Sequence, residues 1–372
     1  MQGIYVHIPF CAAKCAYCDF LSFAGKNADM PGYMQSLTNE LQGYAKRYAK
    51  DMVQTIFFGG GTPTTVPVDF LAAALGVIRQ SFTVAENAEI TIEANPETVS
   101  YDVLCALRGA GFNRVSFGVQ AFDNEMLRRI GRVHTAETAE RAVTNARQAG
   151  FANISIDLMF GLPGQTMQDW QATLDVAVGL NPNHISCYSL ILEESTPLAK
   201  AEGVLLPDDE ADRAMYAEAI RRLREAGYDQ YEISNFAKPG YASRHNVMYW
   251  TGGDYIGAGL GAHSLLEGRR ICNTSDLGAY MQGDFGRETL ETLTEADCRA
   301  EFMILGLRMT NGVSEDEFHR RFGVTFARAF GKEIDGLVAE GLLVQEQDRL
   351  RLSARGVDIS NRVFARFLSD GD

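Results

Sequence analysis

The stretch His7-Ile8-Pro9-Phe10-Cys11-Ala12-Ala13-Lys14-Cys15-Ala16-Tyr17-Cys18-Asp19-Phe20 carries three of the chain's seven cysteines, in the spacing C-x3-C-x2-C. It continues from Ile4–Ile8, a short run rich in Ile and Val that reads as a strand. Thiolates are the preferred ligands of iron–sulfur clusters. Three on one short loop leave one iron of a four-iron cube without a protein ligand. That open iron can take the amino and carboxylate groups of S-adenosylmethionine (SAM) and pass an electron to its sulfonium. Structural zinc, the main competing reading, wants four ligands. His7 could be proposed as the fourth, but it lies within the strand, and no CxxC or HxxxH pair follows. The spacing therefore predicts that Cys11, Cys15 and Cys18 hold a [4Fe–4S] cluster.

Working outward, apolar runs alternate with helical stretches over the first two-thirds of the chain. The strand candidates are Ile4–Ile8, Val53–Phe58, Glu89–Glu93, Arg114–Gly118, Asn153–Leu158 and His184–Leu190, with Tyr228–Ser234 as a seventh. Between them lie amphipathic stretches such as Met34–Tyr48, Asp69–Arg79, Ala136–Gln148 and Ala211–Glu225. Several end at glycine, as at Ala110-Gly111, Ala149-Gly150 and Ala226-Gly227, which suits a left-handed helix cap. This alternation implies a parallel sheet with right-handed crossovers. In its barrel form, chemistry gathers at the C-terminal ends of the strands. Gly59–Thr62, Glu93, Gln120 and Asp157 all fall at or just after predicted strand ends, which predicts one shared site.

The alternation fades near residue 290. Helices are expected over Glu291–Arg308, Ser314–Phe322 and Phe326–Gly341, then a hairpin of Leu342–Val344 and Leu350–Leu352, and a last helix near Gly356–Leu368. This is a winged-helix pattern, and the chain divides into 1–290 and 291–372. The second helix and turn carry Glu333, Asp335 and Glu340 against a single Lys332, whereas a DNA-reading helix is basic. The formal net charge of -14 also argues against binding phosphate backbones. No apolar run reaches the roughly 18–20 residues of a membrane span. Met1-Gln2-Gly3-Ile4-Tyr5-Val6 lacks the basic-then-apolar order of a signal peptide, so the expected compartment is the cytoplasm. The scattered Cys105, Cys187, Cys272 and Cys298 read as small buried hydrophobes rather than a disulfide framework.

The cluster loop, with Tyr17 between its last two cysteines and Tyr5-Val6-His7-Ile8-Pro9-Phe10 ahead of it, resembles the radical SAM superfamily. Within that superfamily it is similar to the branch that includes oxygen-independent coproporphyrinogen dehydrogenase, over nearly the whole chain. The resemblance implies an open, partial (β/α)6 TIM-like barrel with a small, helical, winged-helix-like C-terminal domain. It also implies roles. Gly59-Gly60-Gly61-Thr62-Pro63-Thr64 is on its own terms a tight turn or a place of close backbone approach. By resemblance, Gly60, Gly61 and Thr62 bind the amino end of SAM. Glu93, Gln120, Arg132 and Asp157 read alone as helix caps or satisfied strand ends. By resemblance they contact SAM or line the adjacent ligand site, and Tyr5 and Tyr17 join the same set. No catalytic side chain is assigned.

Two features separate the chain from the dehydrogenase. Phe20 stands where that pattern has a further cysteine, and only three residues precede Ile4 where the dehydrogenase has an extension. Arg244-His245-Asn246-Val247-Met248-Tyr249-Trp250 contains H-N-x-x-Y-W, which resembles the motif of HemW-type haem chaperones. An imidazole is a good axial ligand for haem iron, and Tyr and Trp offer flat surfaces for a porphyrin. The competing reading packs Trp250 in the core and gives His245 an ordinary hydrogen bond. Gly257–Ser264, a Gly-rich turn with His263, is either an edge turn or part of a porphyrin pocket. The resemblance implies a haem chaperone that uses the cluster, SAM and haem, with His245, Asn246, Tyr249 and Trp250 on the haem. It implies haem-acceptor proteins as partners, among them membrane respiratory proteins or a haem-storage protein. A flavodoxin- or ferredoxin-like electron donor, contact with the inner face of the membrane and a dimer belong to the same expectation. The alternative is a radical enzyme acting on a tetrapyrrole, by coproporphyrinogen oxidation or haem ring opening, with SAM cleaved to methionine and 5′-deoxyadenosine.

Overall fold

The computed structural model describes residues 2–368. Six strands, β1 (Gln2–Ile8), β2 (Met52–Gly60), β3 (Thr83–Ala94), β4 (Arg114–Gln120), β5 (Asn153–Phe160) and β6 (His184–Ser189), lie parallel in chain order. Their alternation sets the two faces. Ile4, Val6, Ile8, Ile56, Phe58, Ile90, Ile92, Val115, Phe117, Ile154, Ile156 and Ile185 are buried on the outer face against the crossover helices. Each such side chain contributes roughly 1.5–3 kcal/mol by leaving water. The opposite face is polar: register lines up Glu93 with Ser116, Ser116 with Ser155, and Asp157 with Ser186. A polar inner wall inside an apolar shell is what a ligand-holding barrel needs.

The seventh parallel strand is not the expected one. Tyr228–Ser234 supplies instead the outermost antiparallel strand, β7 (Asp229–Glu232), which pairs with β8 (Asn235–Ala237), itself antiparallel to β6. After the short helix α1 (Arg244–Trp250), β9 (Asp254–Ala258) pairs parallel with β1 on its other side. It continues antiparallel into β10 (His263–Leu266), β11 (Arg269–Cys272) and β12 (Glu288–Thr292). The twelve strands form one sheet whose ends, β12 and β7, do not pair, so the barrel stays open. The Gly257–Ser264 segment spans the end of β9, the turn and the start of β10, with Gly259 and Gly261 left-handed at φ +112 and +63.

A buried carboxylate fixes this added edge to the barrel. Glu40, on the helix Met30–Tyr48, is fully buried and accepts from Gly259 N (2.8 Å), Asn273 Nδ2 (2.7 Å) and Tyr280 Oη (2.6 Å), with Arg287 Nη2 at 3.5 Å. Tyr33 Oη accepts from Leu260 N and donates to His7 O. The edge turn is thus held against the end of β1, beside the cysteine loop.

The C-terminal residues build a second apolar cluster around Met303, Phe318, Leu337, Leu350 and Phe364. Its first helix starts at Glu295, four residues later than expected, because Thr294 and Asp297 form a capping box and Glu288–Thr292 is strand. Val313–Ser314 adds to the hairpin Leu343–Glu346 and Arg349–Leu352 as a third wing strand. The last helix is two short ones, Ala354–Asp358 and Ser360–Ala365. Arg308 joins this module to the barrel: its guanidinium lies 4.3 Å from the Trp250 ring centroid, and Nη2 is 3.5 Å from Glu232, which is fully buried. Among the described residues no helix is long and apolar enough to cross a membrane.

Candidate functional site

The loops after β1 and β2 and the ends of β3, β4 and β5 converge on one cavity. Cys11, Cys15, Cys18, Tyr17, Gly60, Gly61, Thr62, Glu93, Gln120, Arg132 and Asp157 all line it. Local chemistry explains the convergence. His7 donates from Nε2 to Leu21 O (2.9 Å) and accepts at Nδ1 from Tyr5 Oη (3.0 Å), tying the far side of the cysteine loop to β1. Gly61 N donates to Ile8 O (2.8 Å) and Thr62 N to Phe10 O (2.7 Å), seating the glycine segment on the loop's root. A Cβ on Gly61 would lie 2.7 Å from Phe10 O, so only glycine permits this approach.

Donors point at the sulfurs. Thr62 Oγ1 lies 3.6 Å from Cys11 Sγ, and Arg132 Nη1 lies 3.4 Å from Cys15 Sγ. Arg132 Nη2 also donates to Asn95 Oδ1 (2.8 Å) and to Gly118 O, while Asn95 Nδ2 donates to Thr62 Oγ1 (3.0 Å). Arg132 Nε is buried with no hydrogen-bond partner in the protein. Among the described residues no three His, Cys, Asp or Glu side chains converge closely enough for one metal ion. Three thiols spread along one cavity wall, with cationic and hydroxyl donors beside them, fit a multi-iron cluster in which each sulfur takes a different iron. Burial pushes the Cys18 thiol up, so ligation must supply the free energy of its deprotonation.

The carboxylates face the thiols. Glu93 accepts from Gly60 N at 3.2 Å. Burial, and then the nearby Asp157, raise it to about 7, against the pull of Gly60 N–H and Arg114. Asp157 is also raised by burial, opposed by hydrogen bonds from Ser186 and Ser116 and by Arg114 and Arg132. Gln120 takes φ +69, a left-handed conformation that costs a non-glycine residue about 1–2 kcal/mol. It sits at a register shift in β4, which aims its side chain into the cavity rather than along the sheet.

The second group lies deeper. α1 contacts the inner wall near Thr55, Phe57 and Glu89. Glu89 precedes Glu93 by four residues on β3, about 13 Å along a strand. The Glu89 carboxylate accepts from the backbone N–H of Arg244 and of His245 (3.2 Å each). His245 is 1% exposed and stacks on Phe57 at 5.2 Å. Its Nδ1 meets Thr55 Oγ1 at 2.8 Å, and its Nε2 meets Tyr249 Oη at 2.9 Å. Burial, then Arg114, push the imidazole down to about 3, so the ring is neutral. The imidazole is thus buried, hydrogen-bonded at both nitrogens and packed between the Phe57 and Tyr249 rings, and the thiol-lined cavity does not reach it. Asn246 is half-buried on the same helix, and Trp250 turns away toward Arg308. His263 is exposed beside Cys272, with Nε2 3.5 Å from Sγ.

Sequence reasoning missed Asn95 and Arg114. Asn95 lies two residues beyond Glu93, so strand alternation from Glu93 points to it. Arg114 is 2% exposed on the inner face, opposite Thr91 and one inward-facing position below Ser116.

The chain matches the radical SAM superfamily over residues 5–177 and the HemN C-terminal domain over residues 293–359. It is 36% identical to "Heme chaperone HemW" of Bacillus subtilis over 379 residues, covering 100% of both chains. It is 37% identical to the protein of that name from Escherichia coli over 375 residues, covering 99% of this chain and 98% of the relative. The solved coproporphyrinogen III oxidase (HemN) of Escherichia coli, a radical SAM enzyme, superposes with a TM-score of 0.88 at 26% identity, covering 99% of this chain and 90% of that one.

Proposed function

The chain belongs to the radical SAM superfamily and, within it, to the HemW heme chaperones, and from that premise we propose that it binds haem and hands it to acceptor proteins. The observation that carries the reading is the coexistence, in one barrel, of the thiol-lined cavity and a neutral His245 held among aromatic rings. Cys11, Cys15 and Cys18 would hold a [4Fe–4S] cluster. Gly60, Gly61, Thr62, Glu93, Gln120, Arg132 and Asp157 would hold SAM, with Tyr17 beside Cys15; Tyr5, expected among the SAM contacts, lies outside the cavity lining and braces His7 instead. A reduced cluster supplies one electron to SAM when both are bound. The protein's part is to place donors on the sulfurs through Thr62 and Arg132 and to present Glu93 as an acceptor in a desolvated wall. His245, Asn246, Tyr249 and Trp250 form the haem-side segment. The acceptors are haem-using proteins, membrane respiratory proteins or a haem-storage protein among them. A flavodoxin- or ferredoxin-like donor reduces the cluster, and the chain works in the cytoplasm or at the inner face of the membrane.

Phe20 favours this reading over oxidation of coproporphyrinogen. It stands 68% exposed at the cavity rim, where the dehydrogenase pattern has its further cysteine. The test is two incubations of the reconstituted protein. With haem, a Soret shift near equal stoichiometry is expected. With coproporphyrinogen, SAM and a reductant, no protoporphyrinogen is expected, and sustained turnover there would replace the chaperone reading with the enzyme.

A further inference from the structure

Arg114 brings a cation into the barrel without a partner to match it. It is 2% exposed and points inward from β4, opposite Thr91 on β3 and Asn153 on β5. Three polar atoms in that one row, Thr91 Oγ1, Arg114 Nε and Asn153 Oδ1, are buried with no hydrogen-bond partner in the protein. Among the described residues Arg114 forms no ion pair, whereas the buried Glu40 and Glu232 meet Arg287 and Arg308. An unpaired buried charge is expensive, and an apolar side chain of equal bulk would fill the same place at less cost. Arg114 does not line the thiol-lined cavity, so it is not placed to touch SAM itself. One inward-facing position above it, about 6.6 Å along the strand, Ser116 does line the cavity. Ser116 faces Glu93 across the register and donates to Asp157 Oδ1 at 3.4 Å. The cation thus lies beneath the two carboxylates of the cavity's acidic wall.

We propose that Arg114 is a positioning residue for the SAM site: through water bound at its Nε and at Thr91 Oγ1, it serves as the buried counter-ion of Glu93 and Asp157 and keeps both as acceptors for the ligand's hydroxyl and ammonium donors. This rests on the reading that the cavity takes SAM. Orphaned polar atoms side by side give a bridging water the partners it needs, and such a bridge is nearly as good as a direct bond. Two carboxylates in a desolvated wall repel, and one that takes up a proton is a poorer acceptor. Burial raises both carboxyls, and Arg114 counters it on each. The cavity's other guanidinium, Arg132, is committed to Cys15, Asn95 and Gly118. The remaining titratable groups around the wall are neutral, engaged or exposed. Tyr5 on β1, Tyr17 on the cysteine loop, Tyr188 on β6, Tyr231 on β7 and Tyr249 on α1 are held protonated by burial. His7 is lowered by burial, and His184 and His245 by burial and then by Arg114. Glu89 accepts from two N–H groups of α1, and Glu193 is exposed at the rim.

The test is SAM binding by calorimetry to the full, cluster-loaded chain, held anaerobically, from pH 6 to pH 9. Arg114→Met keeps the bulk and removes the charge. The midpoint of the affinity profile should move up by about 1–2 pH units, because the carboxyls lose their nearby opposite charge. Binding at pH 7 should then weaken about 5- to 50-fold, and the gap to the parent should narrow toward pH 9. Titration of SAM itself is common to both proteins and cancels in the comparison. Arg114→Lys, which keeps the charge, should recover most of the shift. An unmoved midpoint, or a loss of affinity equal at every pH, would assign Arg114 a merely structural role and overturn the proposal. A high-resolution structure of the parent tests the bridge even if Arg114→Met does not fold. Ordered water should lie within hydrogen-bond distance of Arg114 Nε and link it to Glu93 or Asp157, and a dry Nε would overturn the bridge. If the parent binds no SAM at any pH, the reading of the cavity fails and this proposal falls with it, an outcome distinct from a parent that binds and a variant that does not differ.

Discussion

Arg132 donates from Nη1 to Cys15 Sγ at 3.4 Å while its other terminal nitrogen reaches Asn95 and Gly118. A guanidinium clamped to two strand ends and aimed at a thiolate favours extra negative charge on whatever that thiolate holds. Arg132→Met should therefore keep the three cysteine ligands but move the cluster's reduction potential to more negative values, with Arg132→Lys in between. A redox titration followed by electron paramagnetic resonance measures this. An unmoved potential in Arg132→Met would remove Arg132 from the cluster's electrostatics.

Glu93 makes stability fall with rising pH. Its carboxyl is raised from 4.5 to about 7 by burial and by Asp157. Below about pH 4.5 both the folded and the unfolded chain hold the proton. Between 4.5 and 7 the unfolded chain binds fewer protons than the folded one, so unfolding free energy drops, by about 3 kcal/mol across that window, and then levels off. Glu93→Gln should flatten that segment of the profile, as measured by urea unfolding at pH 5 and pH 8. The same substitution should remove the rise in SAM affinity expected as the carboxylate ionises near neutrality, which calorimetry across the window reads.

Gly61→Ala should be far worse than its size suggests. The added methyl would meet Phe10 O and Ile8 O at 2.7 and 2.8 Å, both main-chain atoms that cannot turn aside. A loss of about 1–3 kcal/mol is expected, together with low iron content, since the same contacts seat the cysteine loop. Gly76→Ala is the control. That residue lies in the helix Val68–Ser81 with open space around its Cα, and the change should stabilise by about 0.5–1 kcal/mol. Thermal melts and iron assays of both variants decide the point.

Glu40→Ala strips three donors of their shared acceptor. Gly259 N–H, the Asn273 amide and the Tyr280 hydroxyl all end on that carboxylate in a fully buried site. Leaving buried donors unpaired costs about 1–3 kcal/mol each before relaxation, so a net loss of about 3 kcal/mol or more is expected. Hydrogen exchange should show the damage first in Gly257–Asn273, the edge it anchors. Uniform loosening elsewhere would mean that Glu40 is not what holds that edge.

Six barrel strands could be read from the chain because β-branched and aromatic residues alternate with polar ones there, and because most of them end at a glycine, a proline or a polar residue. The same signal placed Glu93, Gln120 and Asp157 at the mouth. The seventh parallel strand escaped for a physical reason. Asp254-Tyr255-Ile256-Gly257-Ala258 sits among Gly252, Gly253, Gly259 and Gly261 and has the composition of a turn. Its extended form is imposed by pairing with β1, and Gly257 is needed because a Cβ there would strike His263 O at 1.9 Å. The depth of His245 was equally illegible. The helix that carries it is seven residues long, and its position is set by Glu89, far away in the sequence. Local pattern says that such a segment is polar and aromatic, not that a distant carboxylate pins it to an inner wall.

The Arg308–Trp250–Glu232 contact bears on how shortened or chimeric versions of this chain should be interpreted. A chain cut before residue 293 retains every residue of the barrel but strands Glu232, fully buried, without its nearby cation, and uncovers one face of Trp250. It also removes Thr310, whose N–H and hydroxyl hydrogen-bond to Tyr231 O and Gln230 O at the sheet's edge. A defect in such a truncation would report a sheet edge robbed of its last partner, not the loss of a separable activity. Exchanging C-terminal modules between relatives would succeed only where the incoming module brings an arginine to the same place.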